Sequence, residues 1–187
     1  MVCVKNVRMH YLKKCCKNIF MKTNFFEIKE MFSKLCPWLF VIMILLFFDQ
    51  ISKWIIRNNF EIFESKQLTP FLALTYTTNT GISFGLFEGN NNFFILTTIV
   101  ILFILIFSVE AIEQDFGKIG LYSIILIISG GIGNLLDRIF FGRVIDFIDI
   151  QFRYKNIWPI FNLADSYVFI GVWILVISFV LQRYKKI

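Results

Sequence analysis

The sequence is poor in the residues from which many enzymes build their sites. Its 187 residues include one His, His10, four Cys, three Pro and only 17% charged residues. One His near the N-terminus cannot act as the base for a distant Ser or Cys nucleophile, and the sequence contains no Gly-rich phosphate loop. The Cys residues, at positions 3, 15, 16 and 36, lack the paired spacing of a zinc site and lie away from the predicted external loops. Neither a metal site nor a disulfide framework is therefore expected.

Apolar residues dominate instead: 57% of the chain is hydrophobic, and 24 residues are Phe. Several apolar runs approach the roughly 20 residues that a helix needs to cross a bilayer. We predict an integral membrane protein, mainly α, with four transmembrane helices in one domain. The predicted spans run near Cys36 to Ile56, Phe93 to Ile112, Ile119 to Asp137 and Asn162 to Leu181.

The net charge of +6 is concentrated at the N-terminus, which argues against nucleic-acid binding. Residues 1–34 hold eight Lys or Arg against two Glu, a surplus of six. A basic segment beside the first span predicts a cytoplasmic N-terminus, and the basic tail after the fourth span predicts a cytoplasmic C-terminus. We read 1–34 as an uncleaved cytoplasmic extension of a membrane domain at 35–187, with Met21 and Met31 as alternative starts.

Two external segments follow from this topology. The stretch from Arg57 to Asn92 contains LALTYTTNT and Gly or Asn clusters, which are strand and turn signals. It is expected to form a small external β-sheet at the outer interface. The second segment, Ile139 to Phe161, carries Tyr154 and Trp158, which suit the interfacial aromatic belt.

Polar residues at the outer end of the first span are the first candidates for a site. Asp49 and Lys53 are four apart, so they share a helix face and can form an ion pair. A local pair that closes the helix near the interface is one interpretation. A functional role is the other, because burying an ionisable group at membrane depth is unfavourable.

A second polar group ends the third span. Asn134, Asp137 and Arg138 are spaced three and four apart and lie close together on a helical surface. The Gly residues just before them, at 130, 131 and 133, allow another helix to approach closely. A polar packing cluster is favoured here over direct catalysis.

Asp146 and Asp165 flank the same external segment and therefore lie at the same membrane face. Two carboxylates in one partly desolvated site cannot both ionise easily, so they can share a proton and act as acid and base. The alternative is that both are interfacial Asp in caps or ion pairs, and Asp165 in particular can be a favourable charge at a helix N-terminus.

Four motifs in order carry a resemblance to a known family. They are DQISK at 49–53, NTGISFG at 79–85, GNLLDRIFFGRVIDF at 133–147 and FNLAD at 161–165. With the four-span hydropathy, the chain from about residue 36 onward resembles the bacterial lipoprotein signal peptidases, or signal peptidase II.

The resemblance implies an aspartic endopeptidase of the cytoplasmic (inner) membrane that removes signal peptides from prolipoproteins, cutting before the diacylglyceryl-cysteine. It implies Asp146 and Asp165 as the catalytic dyad, without metal or cofactor. It also implies a small external sheet and a short external helix around the substrate, inhibition by globomycin, contact with membrane lipids and a monomer. The matching positions that would support the site or bind substrate are Asp49, Lys53, Asn79, Gly81, Asn134, Asp137, Arg138 and Asn162.

One departure concerns Ile82 and Ser83, which stand where the family usually has small residues after the Asn-x-Gly motif. The shape of the substrate groove is affected by this difference, and the predicted chemistry is not. Two other functional classes stay open: a small proton-coupled transporter, which would place its charges near the bilayer midplane, and a membrane scaffold.

Overall fold

The computed structural model describes residues 38–81, 89–152 and 155–185. Three apolar helices in these residues are long enough to cross a membrane: α1 (Trp38–Asn59), α2 (Asn91–Phe141) and α3, whose apolar span is Leu163–Tyr184. The helix α3 itself extends over Leu163–Lys185. Residues Val41–Ile187 form one compact unit, and the contacts given below lie within it.

The helix α2 is interrupted at Gly117, where the backbone has φ 63° and ψ −153°. Residues on either side of Gly117 pack against each other, with Leu102 contacting Ile124 and Ile128 in one buried cluster. At the opposite end, the Asn91 side-chain amide donates to the Arg138 carbonyl at 3.1 Å. A straight helix of 51 residues would be about 75 Å long, so this contact requires the chain to fold back. The helix α2 is therefore a hairpin of two antiparallel arms, 91–116 and 118–141.

A small antiparallel sheet lies at the end of the helices opposite Gly117. Its strands occur in the order β1 (Ser65–Thr69), β2 (Leu72–Asn79), β3 (Val144–Phe152) and β4 (Lys155–Asn156). The strands β1 and β2 lie in the segment from which a sheet was predicted. The strand β3 comes from the other external segment and pairs with β2 through Thr77 opposite Asp146 and Asn79 opposite Val144. The sheet thus joins two segments that the sequence prediction treated separately.

The sheet is attached to the helix ends by an apolar cluster. Ile56 of α1 packs with Tyr76, Ile145 and Phe147 of the sheet, and Leu163 at the start of α3 packs against the same group. Burial of these side chains supplies the main attraction between the sheet and the helices. It also fixes the position of β3, which carries Asp146 between Ile145 and Phe147.

The distribution of polarity is that of a protein in lipid. Large apolar side chains are exposed on the helices, for example Phe107 at 72%, while Asp49, Lys53 and Asp137 are at most 1% exposed. Charged groups are almost never fully buried unless they are paired. The interior of this molecule therefore contains a cluster of buried charged groups, in which each charge is expected to have a partner.

Candidate active site

Asp146 and Asp165 reach the same region from two different elements. Asp146 lies on β3, just after Gly142 ends the α2 hairpin with a left-handed backbone of φ 69°. Asp165 lies in the first turn of α3. The structure brings both side chains to the start of α3, where each contacts Asn162.

Asn162 connects the two carboxylates. Its side-chain amide donates to Asp146 Oδ1 at 2.7 Å, and its backbone N–H donates to Asp165 Oδ2 at 3.2 Å. Its side-chain oxygen accepts from the Asp165 backbone N–H at 2.9 Å, which completes a reciprocal cap at the start of α3. Asp165 is thus a helix-capping residue, as expected if it acts as a favourable charge at a helix N-terminus. Asp146 and Asp165 also share Asn162 as a hydrogen-bond donor.

The pKa of Asp146, which lies outside the apolar helices, is raised from 3.8 to about 7. Burial is the largest cause, because it disfavours the charged form, and the negative charge of Asp165 adds to it. The hydrogen bond from Asn162 and the charge of Lys53 act in the opposite direction. A carboxyl group with this pKa can carry a proton at neutral pH and release it during a reaction.

Lys53 pairs with carboxylates from two helices. Its ammonium lies 2.9 Å from Asp49 Oδ2 and 2.9 Å from Asp137 Oδ2. The predicted pair between Asp49 and Lys53 is confirmed. Lys53 also pairs with Asp137, so the ion-pair cluster extends from α1 to α2. Separating α1 from the second arm of α2 would break the pair between Lys53 and Asp137 and leave buried charges uncompensated, which is strongly destabilising. The cluster therefore stabilises the packing of these two helices.

Both carboxylates also accept hydrogen bonds from backbone groups near the dyad. Asp49 Oδ1 accepts from the Ala164 backbone N–H at 2.9 Å, and Asp137 Oδ2 accepts from the Ile145 backbone N–H at 3.3 Å. Ala164 and Ile145 directly precede Asp165 and Asp146 in the chain. The ion-pair cluster therefore positions the backbone on which each member of the dyad is carried.

Asn134 links the cluster to Asp165. Its oxygen accepts from Lys53 Nζ at 3.0 Å and from the Asn162 amide at 3.1 Å, and its amide donates to Asp165 Oδ1 at 2.7 Å. Among the predicted positions, Asn134 is thus in direct contact with the dyad.

Arg138 faces the segment that follows β2. Its guanidinium donates to the Gly81 carbonyl at 2.8 Å and lies 5.3 Å from the centre of the Phe94 ring. The Gly81 backbone N–H in turn donates to the Asn79 side chain at 2.8 Å. The charge of Arg138 also interacts with Asp165 and Asp146. Gly81 thus contacts Arg138 and Asn79, and within the described ranges neither Asn79 nor Gly81 has a hydrogen bond to the dyad. Ile82 and Ser83 lie outside those ranges.

Gln50 is a member of the cluster that the sequence prediction omitted from the site. Its amide donates to Asp137 Oδ1 at 3.1 Å, to Asp49 Oδ2 at 3.1 Å and to the Gly133 carbonyl at 3.2 Å. In the sequence, only its position next to Asp49 indicated a role for Gln50 in the site. Its contacts with Gly133 and Asp137 join residues 83 and 87 positions apart, which local residue spacing cannot predict.

Comparison with known proteins decides the family. The family described as Signal peptidase (SPase) II matches residues 41–181. The chain belongs to the signal peptidase II family.

Curated relatives of the family agree with this assignment. The chain is 46% identical to the lipoprotein signal peptidase of Wigglesworthia glossinidia brevipalpis over 129 residues, which is 67% of this chain and 81% of that protein. It is 38% identical to the lipoprotein signal peptidase of Moorella thermoacetica over 140 residues, covering 74% and 89% of the two chains.

A solved structure, a bacterial membrane enzyme determined by the in meso method at 2.3 Å resolution, has the same fold. It is similar with a TM-score of 0.70 and 31% identity, covering 82% of this chain and 93% of that one. Signal peptidase II membership makes the protein an aspartic-type peptidase and a multi-pass bacterial membrane protein. The match to the family leaves the basic segment 1–34 outside it.

Proposed function

We propose that this protein cleaves signal peptides from lipid-modified prolipoproteins, with Asp146 and Asp165 as the catalytic dyad. The observation that carries the proposal is that Asn162 donates hydrogen bonds to both carboxylates, at 2.7 Å and 3.2 Å. The two side chains are separated by 19 positions in the sequence, and a single shared neighbour brings them into one site.

The chemistry follows from two buried carboxyl groups that hold one proton between them. A water molecule between Asp146 and Asp165 attacks the scissile carbonyl carbon while one carboxylate accepts its proton. The other carboxyl group donates its proton to the carbonyl oxygen, and the proton taken from water is later passed to the leaving nitrogen. The raised pKa of Asp146, about 7, supports a protonated member of the pair at neutral pH.

The supporting residues divide into two groups under this proposal. Asp49, Lys53, Asn134, Asp137 and Asn162 position the dyad through the contacts described above. Asn79, Gly81 and Arg138 lie on the side where the chain leaves β2, and we assign them to substrate binding. The Arg138 guanidinium is suited to this, because it combines donors with a charge near the dyad.

The proposed topology has four crossings, with both termini in the cytoplasm and the dyad toward the outer face. The break at Gly117 and the contact between Asn91 and Arg138 support two crossings within α2. The acylated Cys of the substrate would keep its lipid chains in the bilayer while the peptide reaches the dyad. One copy of the chain supplies both Asp residues and Asn162, which supports a monomer as the working unit.

The test is cleavage of a diacylglyceryl-modified prolipoprotein by the purified protein in detergent or vesicles. Asp146→Asn and Asp165→Asn should each lower cleavage at least about 1,000-fold while the protein stays folded, because a neutral amide cannot exchange the required proton. Asp115→Asn makes the same chemical change at the opposite end of the molecule and should retain full activity.

Two additions to the assay separate the alternatives. Globomycin should inhibit the wild-type protein, and an unlipidated prolipoprotein should be cut poorly. Full activity in either dyad variant would refute the assignment of the dyad. Absence of cleavage by the wild type, combined with proton uptake into sealed vesicles, would favour a transporter instead.

A further inference from the structure

The two carboxylates of the proposed dyad accept hydrogen bonds unequally. Asp165 accepts at both oxygens, from the Asn134 amide at 2.7 Å and from the Asn162 backbone N–H at 3.2 Å. Within the described residues, Asp146 accepts one hydrogen bond, at Oδ1 from Asn162. Hydrogen bonds donated to a carboxylate favour its ionised form, so the geometry distinguishes the two groups.

The orientation of the Asn134 amide is determined by its other contacts. Its oxygen accepts from Lys53 Nζ at 3.0 Å and from the Asn162 amide at 3.1 Å. Both partners are donors, so the oxygen must face them and the NH₂ group must face Asp165. A flipped amide would oppose donor to donor at Lys53, and it would turn an acceptor toward an ionised Asp165.

We propose that Asn134, oriented by Lys53, is a positioning residue that keeps Asp165 ionised, so that the single proton of the dyad resides on Asp146. This assigns Asp165 as the base that accepts the proton of water and Asp146 as the acid. The assignment rests on the proposed function for its catalytic meaning, while the location of the proton is a property of the protein alone.

The charges around the pair are consistent with this assignment. The negative charge of Asp165 raises the pKa of Asp146. Among the described residues, Lys53 and Arg138 are the cations that interact with the pair. In the same part of the chain, the charged groups that interact with the dyad are Asp49 and Lys53 from α1, and Asp137 and Arg138 from α2.

The proton balance of the reaction closes with this starting state. Water adds its oxygen to the carbonyl carbon, one of its protons passes to Asp165, and the Asp146 proton passes to the carbonyl oxygen, which gives a neutral gem-diol. When the carbon–nitrogen bond breaks, the proton on Asp165 goes to the leaving nitrogen. A hydroxyl proton of the diol returns to Asp146, and both groups end in their initial states.

Infrared titration of the protonated-carboxyl band in the purified protein tests the assignment without a substrate. The pair titrates in two apparent steps. Asn134→Ala removes a donor that stabilises the ionised form of Asp165, so the lower apparent pKa of the pair should rise by about one to two pH units. The upper step should not move, because Asp165 is ionised both before and after it. A shift in the upper step alone would place the proton on Asp165 and overturn the proposal.

Gln50→Ala is the matched control. Gln50 is another amide of the same polar cluster, and it donates to Asp49 and Asp137 instead of the dyad. Neither apparent pKa of the dyad should move in this variant, even if the protein is less stable. An equal shift in both variants would mean that Asn134 acts only through the general structure of the cluster.

A second pair of variants keeps the test decisive if Asn134→Ala does not fold. In Asp146→Asn the remaining dyad carboxyl is Asp165, and in Asp165→Asn it is Asp146. Asp165 in Asp146→Asn should lose its proton at a lower pH than Asp146 in Asp165→Asn, because Asp165 retains two hydrogen-bond donors. The reverse order would overturn the proposal.

The pH profile of kcat/KM for prolipoprotein cleavage connects the titration to catalysis. Asn134→Ala should move the acidic limb to higher pH and leave the basic limb in place. If the infrared result is as expected but the wild type cleaves no prolipoprotein, the proton assignment holds and the proposed function fails. If the protein cleaves prolipoprotein but the upper step moves, the function holds and the assignment fails.

Discussion

At the scale of single residues, the site depends on how closely α1 and α3 approach the second arm of α2. A Cβ added at Gly133 would lie 2.6 Å from Asp49 Oδ2 and 3.1 Å from Ala164 Cβ. The absence of a side chain at this position therefore makes room for the carboxylate that pairs with Lys53 and binds the Ala164 N–H. The same small residue affects both the ion-pair cluster and the start of α3.

We expect Gly133→Ala to destabilise the protein by about 1–3 kcal/mol, because the added methyl group displaces a buried, paired carboxylate. Thermal unfolding in detergent measures the change, and prolipoprotein cleavage should fall with it. Gly131→Ala is the control. Its Cβ would meet the end of the flexible Leu102 side chain at 3.0 Å, so its effect should be clearly smaller. Equal stability of the two variants would contradict this explanation.

The pKa of Asp146 also predicts how stability changes with pH. It rises from 3.8 to about 7 on folding, so between these values the folded state binds more protons than the unfolded state. The contribution of Asp146 to stability is thus fully present below about pH 4 and is lost as the pH rises to about 7.

Asp146→Asn removes this dependence. The melting temperature of the variant should increase relative to that of the wild type when the pH is raised from about 5 to about 8. Unfolding curves of both proteins at the two pH values measure the difference. A difference in melting temperature that does not change with pH would show that Asp146 ionises normally.

At the scale of secondary-structure elements, the break at Gly117 permits α2 to fold into a hairpin. Its backbone, with φ 63° and ψ −153°, is accessible essentially only to glycine. Contacts on both sides of the break depend on this turn, including the Leu102 cluster and the bond between Gln182 and the Asp115 carbonyl at 2.8 Å.

Gly117→Ala should therefore destabilise the protein by about 1–3 kcal/mol, although a Cβ there meets no neighbouring atom. The measurement is again thermal unfolding in detergent, with Lys118→Ala as the exposed neighbouring control. Unchanged stability in Gly117→Ala would mean that the backbone at 117 adopts a different conformation.

At the scale of the whole molecule, we expect the sheet and the Gly117 turn to lie on opposite sides of the membrane, because each arm of α2 crosses it once in the proposed topology. Gln67 on β1 and Gln114 next to that turn are both exposed and mark the two sides. In a variant whose four Cys are replaced by Ser, Gln67→Cys should react with an impermeant thiol reagent in intact spheroplasts. Gln114→Cys should react only after permeabilisation, and the opposite pattern would invert the proposed topology.

Much of this arrangement was predictable from the sequence for identifiable physical reasons. Long apolar runs locate the helices, and the spacing of four between Asp49 and Lys53 predicts their pair, which is observed at 2.9 Å. The ordered motifs predict the family. The pairing of β2 with β3 was not predicted, because the hairpin of α2 separates these strands in the sequence.

The sequence by itself determined that the protein belongs in a membrane, and it indicated which carboxylates are available, since hydropathy and motif order are properties of the chain. The tertiary structure alone decided that Asn162 joins Asp146 to Asp165 and that, of these two carboxylates, Asn134 donates to Asp165 within the described residues. Hydrogen bonds depend on the direction of each donor and acceptor. Those directions are fixed only when α1, the second arm of α2, β3 and α3 are packed together.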